Sequence, residues 1–267
     1  VDGGRVFVTA GGARALMAAL DVRDGSTVWA SVPLRLGPSP SPCHERVPEP
    51  AGEADPAGYA SPILMRLGTR RGVVNCSSRH AFGVDADTGA LLWTRALPTR
   101  FQVLACTPVA WRDAVFVTGP DGEGGRMVRM RWEGERLVVD DLWRSPLDTG
   151  QHGAVVVGDE LFASFYRAPL RWVSLDAATG AVRYEARDGL RGAPIWADGR
   201  LVIVAESGEV LLVEPTGSEF RVRGRFHIAP NRTRDAWAHP VLLDGRLYLR
   251  YHDELQCRDV RRPTESS

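Results

Sequence analysis

Two histidines in neighbouring registers of non-adjacent repeats are the first candidates for chemistry. His152 stands directly before Gly153-Ala154-Val155, and His239 opens the related phrase His239-Pro240-Val241. Two imidazoles facing one another could act as a base pair or give two nitrogens to a metal. The other reading is that each ring bonds a backbone carbonyl at a strand end. That reading is favoured, because no carboxylate recurs in the same register to complete a triad or a metal shell. Tyr59, Ser61, Cys106, Thr107, Gln151, Arg191 and Trp237 also lie just before or within such phrases, and with the histidines they form the candidate binding set. Arg232 and Arg234, in Asn231-Arg232-Thr233-Arg234-Asp235, could hold a carboxylate or a sugar acid, although a solvated loop explains them equally well. No residue is assigned as catalytic and none as a metal ligand.

Other chemistries drop out on residue type. All 33 basic residues are arginine, so a lysine Schiff base and a P-loop lysine are both excluded. Gly119 to Gly125 resembles a phosphate loop only in its glycines, and a β-turn tip is expected there. Cys43, Cys76, Cys106 and Cys257 show no CxxC spacing, which argues against zinc ribbons and thioredoxin chemistry. Cys43-His44-Glu45 offers too few ligands for a metal site without a second pair nearby. The 33 acidic residues balance the basic ones, and a net charge of zero gives no reason to expect nucleic acid as a partner. No apolar run approaches the roughly 18 residues that span a bilayer.

The elements that must position these residues come from a repeat. Ser61-Pro62-Ile63, Thr107-Pro108-Val109, Gly153-Ala154-Val155, Ala193-Pro194-Ile195 and His239-Pro240-Val241 recur at intervals of 46, 46, 40 and 46 residues. A period of about 40–46 residues is that of one four-stranded propeller blade. Each phrase leads into a tight hairpin, such as Asp198-Gly199 or Asp244-Gly245, between short apolar strands. A second phrase runs Asp21…Gly25…Trp29, Asp85…Gly89…Trp93 and Asp176…Gly180…Tyr184. Its Asp and Gly build a turn, and its aromatic residue is expected to pack between neighbouring blades. The expected fold is therefore an all-β propeller of four-stranded antiparallel blades. Six units are visible, beginning near residues 1, 60, 106, 152, 192 and 238, of an expected seven or eight. The chain reads as one domain over 1–267 that starts inside a strand. It carries an inserted loop at 33–58 that holds seven of the 18 prolines and reads as a surface loop. The starts of the inner strands line the channel mouth, and the loops at 33–58, 119–126 and 229–236 are the most distinctive ones.

Ala236-Trp237-Ala238-His239-Pro240-Val241 with Asp244-Gly245-Arg246-Leu247-Tyr248-Leu249, Gln151-His152-Gly153-Ala154-Val155 and Thr107-Pro108-Val109 resemble the PQQ-like, quinoprotein-type propeller repeats. That family also includes the propeller lipoprotein of the outer-membrane barrel-assembly machinery. The resemblance implies an extracytoplasmic, periplasmic setting and three functional readings. The preferred one is a non-catalytic scaffold, without cofactor, that binds a protein or glycan partner through loops at the mouth. The second is a dehydrogenase of alcohols or sugars using PQQ and calcium, which would need cationic groups for a triacid and a carboxylate-rich calcium site. The adjacent cysteine pair that the alcohol-oxidising members carry is missing from this sequence. The third is a hydrolase or lyase at the channel mouth.

Overall fold

The computed structural model describes residues 1–35, 52–187, 190–229 and 234–261. Every regular element among them is a β-strand, and the strands form six antiparallel sheets in chain order. The first sheet has β1 (Arg5–Thr9), β2 (Met17–Asp21) and β3 (Thr27–Ala30). The second has β4 (Ile63–Leu67), β5 (Arg70–Cys76), β6 (His80–Asp85) and β7 (Leu91–Ala96). The third has β8 (Val109–Trp111), β9 (Ala114–Gly119), β10 (Gly124–Glu133) and β11 (Arg136–Ser145). The fourth has β12 (Ala154–Val157), β13 (Glu160–Ser164), β14 (Trp172–Asp176) and β15 (Val182–Ala186). The fifth has β16 (Gly192–Ala197), β17 (Arg200–Ala205), β18 (Glu209–Pro215) and β19 (Phe220–His227). The sixth has β20 (Val241–Leu243), β21 (Arg246–Tyr251) and β22 (Glu254–Asp259). Each sheet is one blade of a β-propeller.

Local chemistry sets these elements. The repeated prolines fall at or next to the start of an inner strand, where a missing N–H costs no ladder bond. Pro194 sits inside β16, which is the edge strand of its sheet. The inner hairpins use two-residue loops. Asp198 and Gly199 have φ of 46° and 76°, and Asp244 and Gly245 have 49° and 71°. Two positive φ values in a row define the turn that matches the strand twist.

The hydrophobic core is divided among the blade interfaces. Met65, Leu67, Val74 and Trp93 of the second blade pack with Val115, Val117, Val128 and Met130 of the third. Phe116, Met127 and Trp143 of the third meet Leu161, Val173 and Leu175 of the fourth, and the other interfaces follow suit. The Asp…Gly…aromatic phrase explains how neighbours interlock. The Asp carboxylate accepts backbone N–H groups two residues on, from Asp87 to Asp85 at 3.0 Å and from Ala178 to Asp176 at 3.0 Å. Trp29 reaches into the next blade and donates its indole N–H to Ala86 O at 3.1 Å, while Trp143 donates to Ala177 O at 2.8 Å. A Cβ at Gly89 would lie 2.5 Å from Trp29, and one at Gly180 would lie 2.6 Å from Trp143.

Most of the 33–58 insertion, including Cys43-His44-Glu45, lies outside the described residues. Its return leg is anchored at one buried residue, while Gly52, Glu53, Pro56 and Ala57 are exposed. Asp55 is buried, accepts hydrogen bonds from Ser77 and from Ser78 (2.8 Å), and contacts His80 Nδ1 at 2.8 Å. Arg35 bridges to Ala54 and Ala57 to Ser77. Asp55 thus departs from the surface-loop expectation, its three polar neighbours offsetting the cost of taking a carboxylate out of water.

Candidate functional site

Antiparallel order sends two kinds of connection to the same end of every blade. These are the turn between the second and third strands and the link from the outer strand to the next blade. That end carries a cavity of about 770 Å³. Its walls are Tyr59, Phe101, Val103, Ala105 and Gln151 from the blade links, Pro120, Asp121, Tyr166 and Arg167 from the turns, with Gly150 and Trp237. A smaller adjoining cavity of about 400 Å³ is lined by Tyr59, Ser61, Ala105, Thr107, Gln151, Trp237 and His239. Six of the sequence-derived candidates thus come together: Tyr59, Ser61, Thr107, Gln151, Trp237 and His239. Within Gly119–Gly125 residues 120–123 form the expected turn between β9 and β10, and Pro120 and Asp121 reach this mouth.

Three aromatic side chains stand out from the surface around the cavity: Tyr59 is 77% exposed, Phe101 65% and Trp237 54%. Behind Trp237 lies a buried polar centre that sequence reasoning missed. Glu206, in the turn between β17 and β18, is 4% exposed. Its Oε1 accepts hydrogen bonds from Gln151 Nε2 at 2.7 Å and from Trp237 Nε1 at 2.9 Å. Its Oε2 accepts from Arg191 Nε. His152, wholly buried, brings Nε2 to 3.3 Å from the same carboxylate, in poor alignment for a hydrogen bond. Burial pushes the Glu206 carboxyl up, but the contacts with His152 and the Arg191 guanidinium outweigh it and the net direction is down. Arg191 also donates to Tyr166 O at 2.6 Å and lies 4.3 Å over the Tyr166 ring.

The histidines take different partners. His239 Nε2 lies 3.1 Å from Gln151 O, on a backbone carbonyl, whereas His152 is enclosed between Tyr166 and Glu206. Cys106 faces inward, with Sγ on Gly150 O at 2.7 Å, and burial pushes its thiol up to about 11. Such a thiol is not a nucleophile at neutral pH. Arg234 lies outside the cavity lining, and its backbone exchanges hydrogen bonds with Tyr251 Oη at 2.8 and 3.1 Å. Arg232 is outside the described residues. On the rim, Arg167 bonds Asp121 and approaches Asp148 at 3.7 Å. Burial raises the Asp148 carboxyl above its ordinary range.

Ser77, His80 and Asp55 have the residue types of a hydrolytic triad, but the order is wrong. Both Ser77 and His80 address the carboxylate of Asp55. A base must stand between carboxylate and nucleophile to take the hydroxyl proton.

Residues 1–164 match the family model of the outer membrane protein assembly factor BamB. The chain belongs to that family. Among solved structures it is similar to BamB from Moraxella catarrhalis, at 16% identity and a TM-score of 0.64, over 100% of this chain and 70% of that one. It is also similar to the quinohemoprotein alcohol dehydrogenase from Comamonas testosteroni, at 12% identity and 0.55, over 92% of this chain and 50% of that one. A computationally designed protein aligns at 10% identity and 0.53, over 91% of this chain and 64% of that one. No curated protein matches in sequence. At these identities the structural likenesses speak for the fold alone, so the BamB-family propeller leaves the occupant of the mouth to the side chains. Among the described residues no helix is long and apolar enough to cross a membrane.

The missed residues have a common origin. Glu206, Tyr166 and Arg167 occupy turns between second and third strands, where no phrase repeats from blade to blade. The available signal was a pair of carboxylates, Glu206 and Glu209, between the apolar runs Leu201–Ala205 and Val210–Val213.

Proposed function

We propose that this BamB-family propeller is a non-catalytic scaffold that binds a polypeptide partner at its mouth, outside the cytoplasm. The carrying observation is the ring of exposed Tyr59, Phe101 and Trp237 around the cavity of about 770 Å³. Aromatic side chains beside a concave surface are the usual anchors of protein interfaces. The family description, an outer membrane assembly factor, agrees with a protein partner and a periplasmic setting.

The hydrogen-bond inventory favours polypeptide over glycan. A sugar needs free donors and acceptors around the aromatic rings. Here Gln151 Nε2 is committed to Glu206, and Arg167 to Asp121. The apolar lining suits a hydrophobic side chain of a partner chain better.

The same lining does not fit PQQ with calcium. The guanidinium groups of Arg167 and Arg191 that could meet a triacid are already paired with Asp121 and Glu206. No three His, Cys, Asp or Glu side chains gather into a cation cage among the described residues. The quinohemoprotein likeness bears on architecture.

A photo-crosslinking amino acid at Phe101 tests the reading, with Glu135 on the opposite end as control. Polypeptide adducts at Phe101 alone are expected in the native host. Adducts at Glu135 alone would overturn the proposal. So would saturable quenching of tryptophan fluorescence by PQQ with calcium.

A further inference from the structure

The mouth aromatic Trp237 belongs to the stretch 234–240 before β20, which holds no strand. An exposed tryptophan on such a segment would ordinarily sample several rotamers, and a partner would have to pay for ordering it. One residue instead holds both the Trp237 ring and the backbone just before it. Glu206 O accepts from Ala236 N at 3.1 Å, and Glu206 Oε1 accepts from Trp237 Nε1 at 2.9 Å. Glu206 is held in turn from three directions: Gln151 at 2.7 Å, the Arg191 side chain, and Arg191 O, which accepts from Glu206 N at 3.0 Å.

We infer that Glu206 is the positioning residue of the mouth, fixing Trp237 as a rigid apolar wall before any partner arrives. The inference rests on the mouth being the partner site for its purpose, but not for its geometry. The cage around the carboxylate consists of donors: the Gln151 amide, the Trp237 indole and the Arg191 guanidinium. A carboxylate has acceptors only and can meet them all at once. An amide of the same size would turn an N–H₂ toward a donor and lose one or more partners. An exposed ring tied to a buried charge loses little further freedom on binding, which is how preorganisation raises affinity. The bond is charge-assisted and sits in a low-dielectric setting, so it outlasts an ordinary surface contact.

The test is hydrogen exchange of indole N–H groups by NMR on the whole chain, with Trp237→Phe to assign the resonance. In the unsubstituted protein the Trp237 indole N–H should exchange at least about tenfold slower than free indole, as a bond to a charged acceptor implies. Glu206→Gln should remove that protection while the indoles of Trp29 and Trp143, bonded to carbonyls of neighbouring blades, keep theirs. Exchange at the free rate in the unsubstituted protein, or full protection in Glu206→Gln, would overturn the inference. If Glu206→Gln fails to fold, Glu206→Asp, which retracts the carboxylate by one methylene, carries the same expectation. No partner enters these measurements. If protection behaves as expected while no polypeptide adduct forms at Phe101 of the unsubstituted protein, the partner reading falls and the positioning role stands.

Discussion

At Glu206, burial and pairing pull the acid–base balance in opposite directions. Burial raises the carboxyl, His152 and Arg191 lower it, and lowering prevails. A depressed folded-state value means the stabilisation is complete above the ordinary glutamate value of about 4.3 and is lost as pH falls through the lower folded value. The melting temperature of the native protein should therefore exceed that of Glu206→Gln most clearly above about pH 5, with the gap closing in acid. Asp148 has the opposite sign. Its carboxyl is raised by burial, and its Oδ2 lacks a hydrogen-bond partner. Its ionised form costs stability at neutral pH, and protonation relieves that cost as pH falls. Asp148→Asn should raise the melting temperature at pH 7 and change it little in acid, which a thermal scan at two pH values decides. Register alone identified Gln151, Arg191, Trp237 and His239, because they precede inner strands at repeated positions. It could not find Glu206, Phe101 or Tyr166, whose positions carry no repeat, nor reveal that Arg191 is spent on an internal partner. Nothing in a sequence distinguishes a guanidinium that waits for a ligand from one that braces a neighbouring turn.

At the level of elements, the Asp…Gly…aromatic phrase proved legible for one reason and informative for another. Its glycines at 89 and 180 have φ of 75° and 72°, which the turn alone explains. The second cause came only from the structure: the tryptophan ring of the preceding blade packs closely against each of them. Gly180→Ala therefore meets both backbone strain and a clash with Trp143. A loss of roughly 2–4 kcal/mol is expected by chemical denaturation, above the about 1 kcal/mol of a turn glycine without such a neighbour. Gly199, with positive φ but no atom within 4 Å of its missing Cβ, is the internal control. Asp55 gives a separate test at this scale. Replacing it by alanine strands Ser77, Ser78 and His80 without their acceptor, and a cost of roughly 2–4 kcal/mol should follow. The composition of 33–58 spoke for solvent and concealed this anchor, because one buried carboxylate does not alter the character of a Pro-rich stretch.

For the whole molecule, stability is distributed over blade interfaces, so damage should be regional. Phe116 is fully buried, and its ring centroid is 5.7 Å from that of Trp143 at the third–fourth interface. Phe116→Ala should cost about 3–5 kcal/mol. In an array coupled between nearest neighbours, the loss appears first where it is made. Amide exchange should accelerate in β8–β15 before it does in β1–β3 or β20–β22. A uniform acceleration would instead mark the six blades as one cooperative unit.

The interlock between blades also bears on how such a chain can lengthen. The second and fourth blades each carry both halves of the joint: Trp93 or Tyr184 packs toward the blade ahead, and the Asp…Gly turn receives Trp29 or Trp143 from the blade behind. A duplicated blade would thus arrive with a ready seat for its predecessor and a ready key for its successor. Gene duplication could then add a repeat without inventing a new interface. The mouth has no such modularity, because Glu206 gathers groups from three different blades through residues that no other blade repeats. Growth by duplication would keep the ring intact and leave the site as the part that selection must rebuild.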